Sequence, residues 1–229
     1  MTERSFFDIY TPRNIWLEMV FRFKKLVRSR ADRPARPTTA KAYDPGHAHS
    51  VGQFYNQNHE HFLEAYGQVI QAFRTKDVNG LLDYQMHSMG LREGLRLLDA
   101  GCGVAAPAVY FASQIQLTID AVTISQKQYE AALGNVAEAG VGSRVKIVCG
   151  DYHRLPDLLP PGTYDGVYFL ESFGHSRDKK YLLDVCWTML NPGGFVYIKD
   201  LFRKVPLAPE HTAVIDREIR KIDTAYHYE

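Results

Sequence analysis

Leu95-Arg96-Leu97-Leu98-Asp99-Ala100-Gly101-Cys102-Gly103-Val104 is the stretch that decides the fold. A short apolar strand over 95–100 runs into a glycine turn, and the turn opens a helix over 104–114. Gly101 and Gly103 let the backbone come close to a ligand, and the helix start offers unpaired N–H groups to it. A GxG pair alone is a weak signal, and the third glycine of a dinucleotide turn is here Ala106. Asp99, two residues before the first glycine, argues against a dinucleotide. An acid there suits the amino group of a methionine-type ligand and repels a pyrophosphate. The plainer reading of the segment is a tight turn beside a solvated aspartate.

On both sides of this segment the chain alternates. Helical stretches near 51–75 and 78–91 precede the 95–100 strand. A strand follows near 117–123, then a helix over 125–139, strands over 144–149 and 165–170, a helix over 178–190, a strand over 194–200 and a last helix over 209–222. This order predicts an α/β fold with a mostly parallel sheet, whose ligands bind beyond the C-terminal ends of the strands.

Composition sets the outer bounds. The 229 residues, 45% hydrophobic and 23% charged, suffice for one domain with a real core and argue against wholesale disorder. No apolar run is long enough to span a bilayer, and the N-terminus lacks the pattern of a secretory signal. Cys102, Cys149 and Cys186 have no CxxC spacing, which fits a reducing cytoplasm better than a disulfide framework or a zinc site. The expectation is a soluble, cytoplasmic protein.

The net charge of +1 is unevenly spread: residues 1–41 hold ten Lys or Arg against four acids. From Thr11-Pro12, an N-cap followed by proline, Ile15, Trp16, Met19, Val20, Phe23, Leu26 and Val27 recur at helical spacing with basic residues on the other side. A basic amphipathic helix of this kind packs on its own domain, covers the pocket, joins a second subunit or lies on an acidic membrane. Residues 31–50 read as a linker, broken by Pro34, Pro37, Pro45 and Gly46. The division expected is therefore 1–50, basic helix plus linker, and 51–229, the ligand-binding domain.

The 95–104 segment resembles the first motif of class I S-adenosylmethionine-dependent methyltransferases, and the resemblance continues in order over 95–200. Gly150-Asp151-Tyr152 is similar to the place where that family's acid takes the adenine amino group. Tyr164-Asp165-Gly166-Val167-Tyr168 looks like the start of its fourth strand, and Leu190-Asn191-Pro192-Gly193-Gly194 like the turn before its fifth. Thr123 stands where many members carry a ribose-binding acid. The run Val122-Thr123-Ile124-Ser125-Gln126-Lys127-Gln128 instead resembles the subset with cyclopropane fatty acid synthases, tocopherol-type and isoprenoid C-methyltransferases. Ala105 replaces a glycine common in relatives, which puts a methyl group beside the expected ligand. The resemblance implies a Rossmann-like sheet with N-terminal helices and S-adenosylmethionine as cofactor. The cofactor would be bound by Asp99, Gly101, Cys102, Gly103, Thr123, Ile124, Ser125, Gln128, Asp151 and Tyr152.

Leu170-Glu171-Ser172-Phe173-Gly174-His175 resembles the matching segment of sterol and tocopherol C-methyltransferases, and Phe54-Tyr55-Asn56 with Tyr66-Gly67 resembles the tocopherol group's helix. The likeness implies methylation of a carbon in a hydrophobic small molecule: an isoprenoid, a sterol-like lipid or a prenylated compound. Glu171 would take the proton from a carbocation and His175 would act as relay or second base; a phenol would lose its hydroxyl proton to the same pair. Tyr55, Tyr66 and Phe173 would line the acceptor pocket. The plainer readings stay beside these: a carboxylate that caps a helix or binds cofactor, and a hydrogen-bonded structural histidine.

O- or N-methylation in secondary metabolism and an inactive partner-binding subunit remain alternatives, with homo-oligomer formation through the N-terminal helix open. A nucleic-acid substrate lacks an NPPY-type loop and a broad basic face. His59-Glu60-His61 lacks the spacing of a metal site, so no metal is expected and these residues read as exposed helical surface. The family's sheet ends in an antiparallel strand pair, and this sequence stops too early to supply it. The chain is therefore read as a fragment, or its edge as covered by a partner or the N-terminal helix.

Overall fold

Successive residues of a buried strand point to opposite faces of its sheet, and Leu97 and Leu98, both fully buried, divide in this way between two cores. A computed structural model of the chain describes residues 19–21, 44–69, 77–200, 216, 217 and 220. The strands are β1 (Met19–Phe21), β2 (Arg96–Ala100), β3 (Thr118–Thr123), β4 (Val145–Cys149), β5 (Tyr164–Leu170) and β6 (Leu190–Lys199). Their order across the sheet is β1-β6-β5-β2-β3-β4. Strands β2 to β6 run parallel, and β1 is antiparallel to β6 with Met19 opposite Ile198.

The helices are α1 (Pro45–Tyr66), α2 (Val78–Met89), α3 (Ala106–Gln114), α4 (Gln126–Glu138), the short α5 (Leu155–Leu158) and α6 (Lys179–Met189). On one face Phe111 of α3 and Ala132 and Val136 of α4 pack against Leu97 and Ile119. On the other, Leu182, Val185 and Met189 of α6 pack against Leu98, Val167 and Val196. Four helices are started by a side-chain cap that satisfies free N–H groups of the first turn: Asp44 for α1, Asp77 for α2, Ser125 for α4 and Asp178 for α6. No described helix is long and apolar enough to cross a membrane.

The chain leaves β2 toward β3 on one side and returns through β5 on the other, so a crevice opens beyond the C-terminal ends of β2 and β5. The opposite ends of these strands are tied by a polar cluster. Arg96 Nη2 donates to Asp120 Oδ2 at 2.9 Å, the Tyr164 hydroxyl donates to the same oxygen at 2.7 Å, and the guanidinium lies 4.8 Å from the Tyr164 ring centre. Burial and the Asp120 contact raise the Tyr164 hydroxyl far above its ordinary range, so it stays a donor.

Four expectations change. The proline-rich stretch expected as linker already contains the first turn of α1, because Asp44 caps it and Pro45 stands where no N–H is needed. That helix ends at Tyr66, with the Gly67 N–H turned back to Leu63 O, well before residue 75. Met19–Phe21, expected as helix, is a strand: the exposed edge of β6 offers backbone partners that outweigh the helical spacing. It lies on the sheet edge for which a C-terminal strand pair was expected, and no described strand follows Lys199. The last strand also begins earlier than expected, at Leu190, with a register irregularity between Tyr164 and Gly166 of its neighbour. The rest of the 1–43 helix and linker, and the 209–222 helix apart from helical residues 216, 217 and 220, lie outside the described residues.

Asp120→Ala leaves the Tyr164 hydroxyl and Arg96 without their shared acceptor. Urea unfolding followed by circular dichroism is expected to show a loss of about 2 kcal/mol, and a loss within experimental error would remove this cluster as a stabilising element.

Candidate active site

The crevice is a cavity of about 1090 Å³, counting its open mouth. Its floor is built from strand ends and its roof from α1.

Asp99 sits on β2, opposite Tyr168 on one side and Ala121 on the other, and is 1% exposed. Its Oδ2 has no hydrogen-bond partner among the described residues. Burial pushes its carboxyl up to about 7, with the Tyr168 hydroxyl pulling the other way. Beyond it the chain turns sharply, and the N–H groups of Gly101 and Cys102 both donate to Val122 O at 2.9 Å. Gly101 has φ +95, and a Cβ there would run into Ser172. Ala105, φ 60, occupies the left-handed region as well, and its side chain lies in the core instead of the cavity lining. The start of α3 has no side-chain cap and borders the cavity through Val104 and Pro107.

At the end of β3 the Thr123 hydroxyl donates to Gln128 Oε1 at 3.1 Å. Asn56 of α1 docks the roof here: its Oδ1 accepts from Ser125 Oγ at 2.7 Å and from Lys127 N at 3.2 Å. At the end of β4, Asp151 Oδ1 accepts from His153 N at 2.9 Å, and its neighbour Tyr152 donates through its hydroxyl to Ser172 O at 3.0 Å. The Cys102 thiol is pushed well above its ordinary range by burial, so it stays protonated and is a poor nucleophile.

The end of β5 carries the polar wall. Glu171 has φ +63, an uncommon conformation for a side chain other than glycine. It is held there by its N–H to Lys199 O at 2.7 Å and by Lys199 Nζ, which donates to its Oε1 at 2.9 Å. Both side chains of this ion pair are buried. His175 is 5% exposed, its Nε2 hydrogen-bonded to the Tyr55 hydroxyl at 2.8 Å, and His47 Nε2 donates to its carbonyl at 2.8 Å.

The cavity brings together Asp99, Gly101, Cys102, Gly103, Thr123, Ile124, Gln128, Asp151, Tyr152, Glu171, His175 and Tyr55 from the sequence expectations. Three expected residues do not line it. Ser125 is fully buried as the cap of α4, Phe173 packs its ring 5.2 Å from Phe169 in the core, and Tyr66 lies at the end of α1 beside Phe62. His59, expected on an exposed surface, is 7% exposed and lines the cavity, whereas His61 of the same triplet is exposed. Val51, Tyr55 and His59, one helical turn apart, were legible as a single face of α1. Lys199 had a weaker signal, a lysine that ends the apolar run Phe195–Ile198.

Comparison with known proteins agrees with this architecture. Residues 98–198 match the methyltransferase domain family. The chain is 30% identical over 190 residues to the 27-O-demethylrifamycin SV methyltransferase of Amycolatopsis mediterranei, covering 82% of this chain and 68% of that one. It is 29% identical over 111 residues to the sterol 24-C-methyltransferase erg6 of Aspergillus fumigatus, covering 48% of this chain and 29% of the relative. Among solved structures, the [4+2]-cyclase SpnF superposes with a TM-score of 0.59 at 25% identity, covering 67% of this chain and 60% of that one. The phosphoethanolamine N-methyltransferase 2 of Haemonchus contortus shares the fold with a TM-score of 0.63 at 20% identity, covering 78% and 40%.

The chain belongs to the class I S-adenosylmethionine-dependent methyltransferases, with S-adenosylmethionine as its cofactor. The residues present fit that group. A buried carboxylate with an unsatisfied oxygen is costly unless a cation arrives, and Asp99 is placed at the turn where the cofactor's ammonium would supply one.

The sign of the Asp99 shift gives a test. Without ligand its carboxyl is protonated below about 7, and a bound ammonium favours the ionised form. Calorimetric affinity for S-adenosylhomocysteine is therefore expected to fall about tenfold per pH unit below about 7. Asp99→Asn is expected to lose roughly a hundredfold in affinity together with the pH dependence. The same raised carboxyl makes the ligand-free chain lose stability as pH rises from about 4 through 7, since the unfolded chain gives up that proton first. An affinity flat across this range would remove Asp99 from the binding site.

Proposed function

We propose that the chain methylates a carbon of a hydrophobic small molecule that carries a hydroxyl group, such as a phenol or enol of isoprenoid or polyketide type. When bound, the cofactor supplies an electrophilic methyl group. In this reading Asp99 holds its ammonium, Thr123 with Gln128 its ribose hydroxyls, Asp151 its adenine amino group, and the Gly101–Gly103 turn brings the backbone close. Val51, Tyr55 and Phe62 of the roof offer the acceptor an apolar and aromatic surface.

The observation that carries this choice is the pair of unlike polar groups on the β5 side of the cavity. Glu171 is bound to Lys199 at 2.9 Å. Its Oε1 already accepts from the Lys199 ammonium, and the pair as a whole presents little net charge to a carbocation. This counts against a simple alkene acceptor, for which Glu171 would be the base. His175 Nε2 instead hydrogen-bonds a hydroxyl, that of Tyr55. A phenol or enol that takes the place of the Tyr55 hydroxyl at Nε2 would give its O–H proton to that nitrogen, and the oxygen's electron density would pass to the ring or enol carbon as that carbon takes the methyl group. Glu171 and Lys199 then serve to hold the loop that carries His175.

A second reading, transfer to the hydroxyl oxygen itself, draws on the same His175–Tyr55 pair. It gains from the similarity to a 27-O-demethylrifamycin SV methyltransferase over 82% of this chain. The chain spans about two thirds of that relative, and 29% and 44% of the Aspergillus fumigatus sterol and Streptomyces halstedii relatives, so the acceptor is part of the proposal.

The test is a turnover screen of prenylated phenols and enols with deuteromethyl-labelled cofactor, the products read by NMR. A label on carbon supports the first reading and a label on oxygen the second. His175→Ala is expected to lower kcat by about a hundredfold or more, with Glu171→Gln costing less. The reverse order would return the base to Glu171 and the acceptor to an alkene.

A further inference from the structure

Asp151, His153 and Ser176 are joined in a row, of which the cofactor assignment uses Asp151 and leaves His153 and Ser176 without a role. His153 Nδ1 lies 2.7 Å from Asp151 Oδ1, and its Nε2 lies 2.8 Å from Ser176 Oγ. A carboxylate only accepts, so the ring proton sits on Nδ1 and the Ser176 hydroxyl donates to Nε2. The three residue types are those of a hydrolytic triad, yet Ser176 is fully buried and does not line the cavity. No electrophile reaches its oxygen, so the row has a mechanical use instead of a nucleophilic one.

Its two ends lie on different parts of the site. Asp151 lines the cavity at the end of β4 and caps the turn Tyr152–Arg154. Ser176 directly follows His175 and closes the turn Phe173–His175, its N–H donating to Phe173 O at 3.2 Å. A second tie runs parallel to the first, from the Tyr152 hydroxyl to Ser172 O at 3.0 Å. The 172–176 loop is therefore gripped at both ends by the 151–153 segment. The imidazole has little room to swing: its ring is stacked on Tyr181 at 6.3 Å and 17°, and Tyr152 lies against it at 4.7 Å.

We propose that His153 is a positioning residue: the Asp151–His153–Ser176 row transmits occupancy of the adenine end of the cavity to the loop that presents His175. A donor arriving at Asp151 competes for the carboxylate's negative charge. The Nδ1–H bond is altered, and the Ser176 bond with it, because the two ring nitrogens share one conjugated, rigid ring. The site thereby senses its cofactor before His175 is set for the acceptor. This inference rests on Asp151 as the adenine-binding acid, so the test separates the two.

The probe is adenosine, which would fill the adenine end without reaching toward Glu171, applied to the full chain with its histidines labelled with nitrogen-15. His175 is identified among the nine histidines by the loss of its signal in His175→Gln. In the wild type, adenosine is expected to shift the His175 imidazole signal. Ser176→Ala, which removes the hydroxyl and leaves a small buried side chain, is expected to bind adenosine within about threefold of wild-type affinity and to lose at least half of that shift. His153→Gln is the second variant, should Ser176→Ala fold poorly: it is expected to lose the shift in the same way. A wild type whose His175 signal ignores bound adenosine, or variants that keep the full shift, would overturn the relay. Asp151→Ala tells the two ideas apart: unchanged adenosine affinity there removes Asp151 as the adenine acid, whatever the relay does.

Discussion

Ser172 sits directly against the turn that ends β2, and only a residue without a side chain at 101 leaves room for it. Its hydroxyl donates to Ala100 O, so the loop after β5 is fastened to the end of β2 across the point where the sheet changes direction. Much of the site follows from this contact. With Ser172 drawn under the turn, Glu171 takes a left-handed backbone conformation and meets Lys199, and His175 is carried under the roof helix. The contact joins the part of the cavity lined from β2 to the part lined from the loop after β5. It does so with a glycine and a serine, two small residues that a pattern search would place in separate motifs.

The electrostatics of the cavity divide along the same line. On the cofactor side Asp99 and Asp151 line the wall, and Asp99 is so deeply buried that it favours its proton until a cation replaces it. On the β5 side the Glu171 carboxylate is matched by Lys199, beside Tyr55 and the ring of His175. A cationic ligand is thus drawn to one end, while the other end presents neutral hydrogen-bonding groups beside an apolar roof. The roof is not an independent lid, because Asn56 ties it to the start of α4 and His47 ties it to His175.

Most of the sheet could be read from the chain, and so could several of the strand ends that line the cavity. The 95–104 segment shows its strand, turn and helix in ten consecutive residues, because a strand's apolar run and a turn's glycines are local properties. Asp99, Thr123 and Asp151 were placed by position, each at or just beyond the end of a strand. The acceptor half was less legible. His59 read as exposed surface, since a helix's buried face is defined by what packs on it, here the ends of parallel strands of which the first begins thirty-seven residues later. Ser125, expected at the ligand from the family resemblance, caps α4, and Phe173, expected in the acceptor pocket, packs its ring on Phe169.

The sequence by itself determined the alternation of strands and helices, the glycine turn and the acid before it, because these depend on backbone sterics and on periodicity within a few residues. Tertiary structure alone decided the rest. Met19–Phe21 became a strand because an unpaired edge stood within reach of a segment with helical spacing. Lys199 found Glu171 across two neighbouring strands, and His153 found Ser176 across twenty-three residues of chain. Such pairings are matters of register and distance in space, and they exist only once parallel strands have brought remote segments side by side.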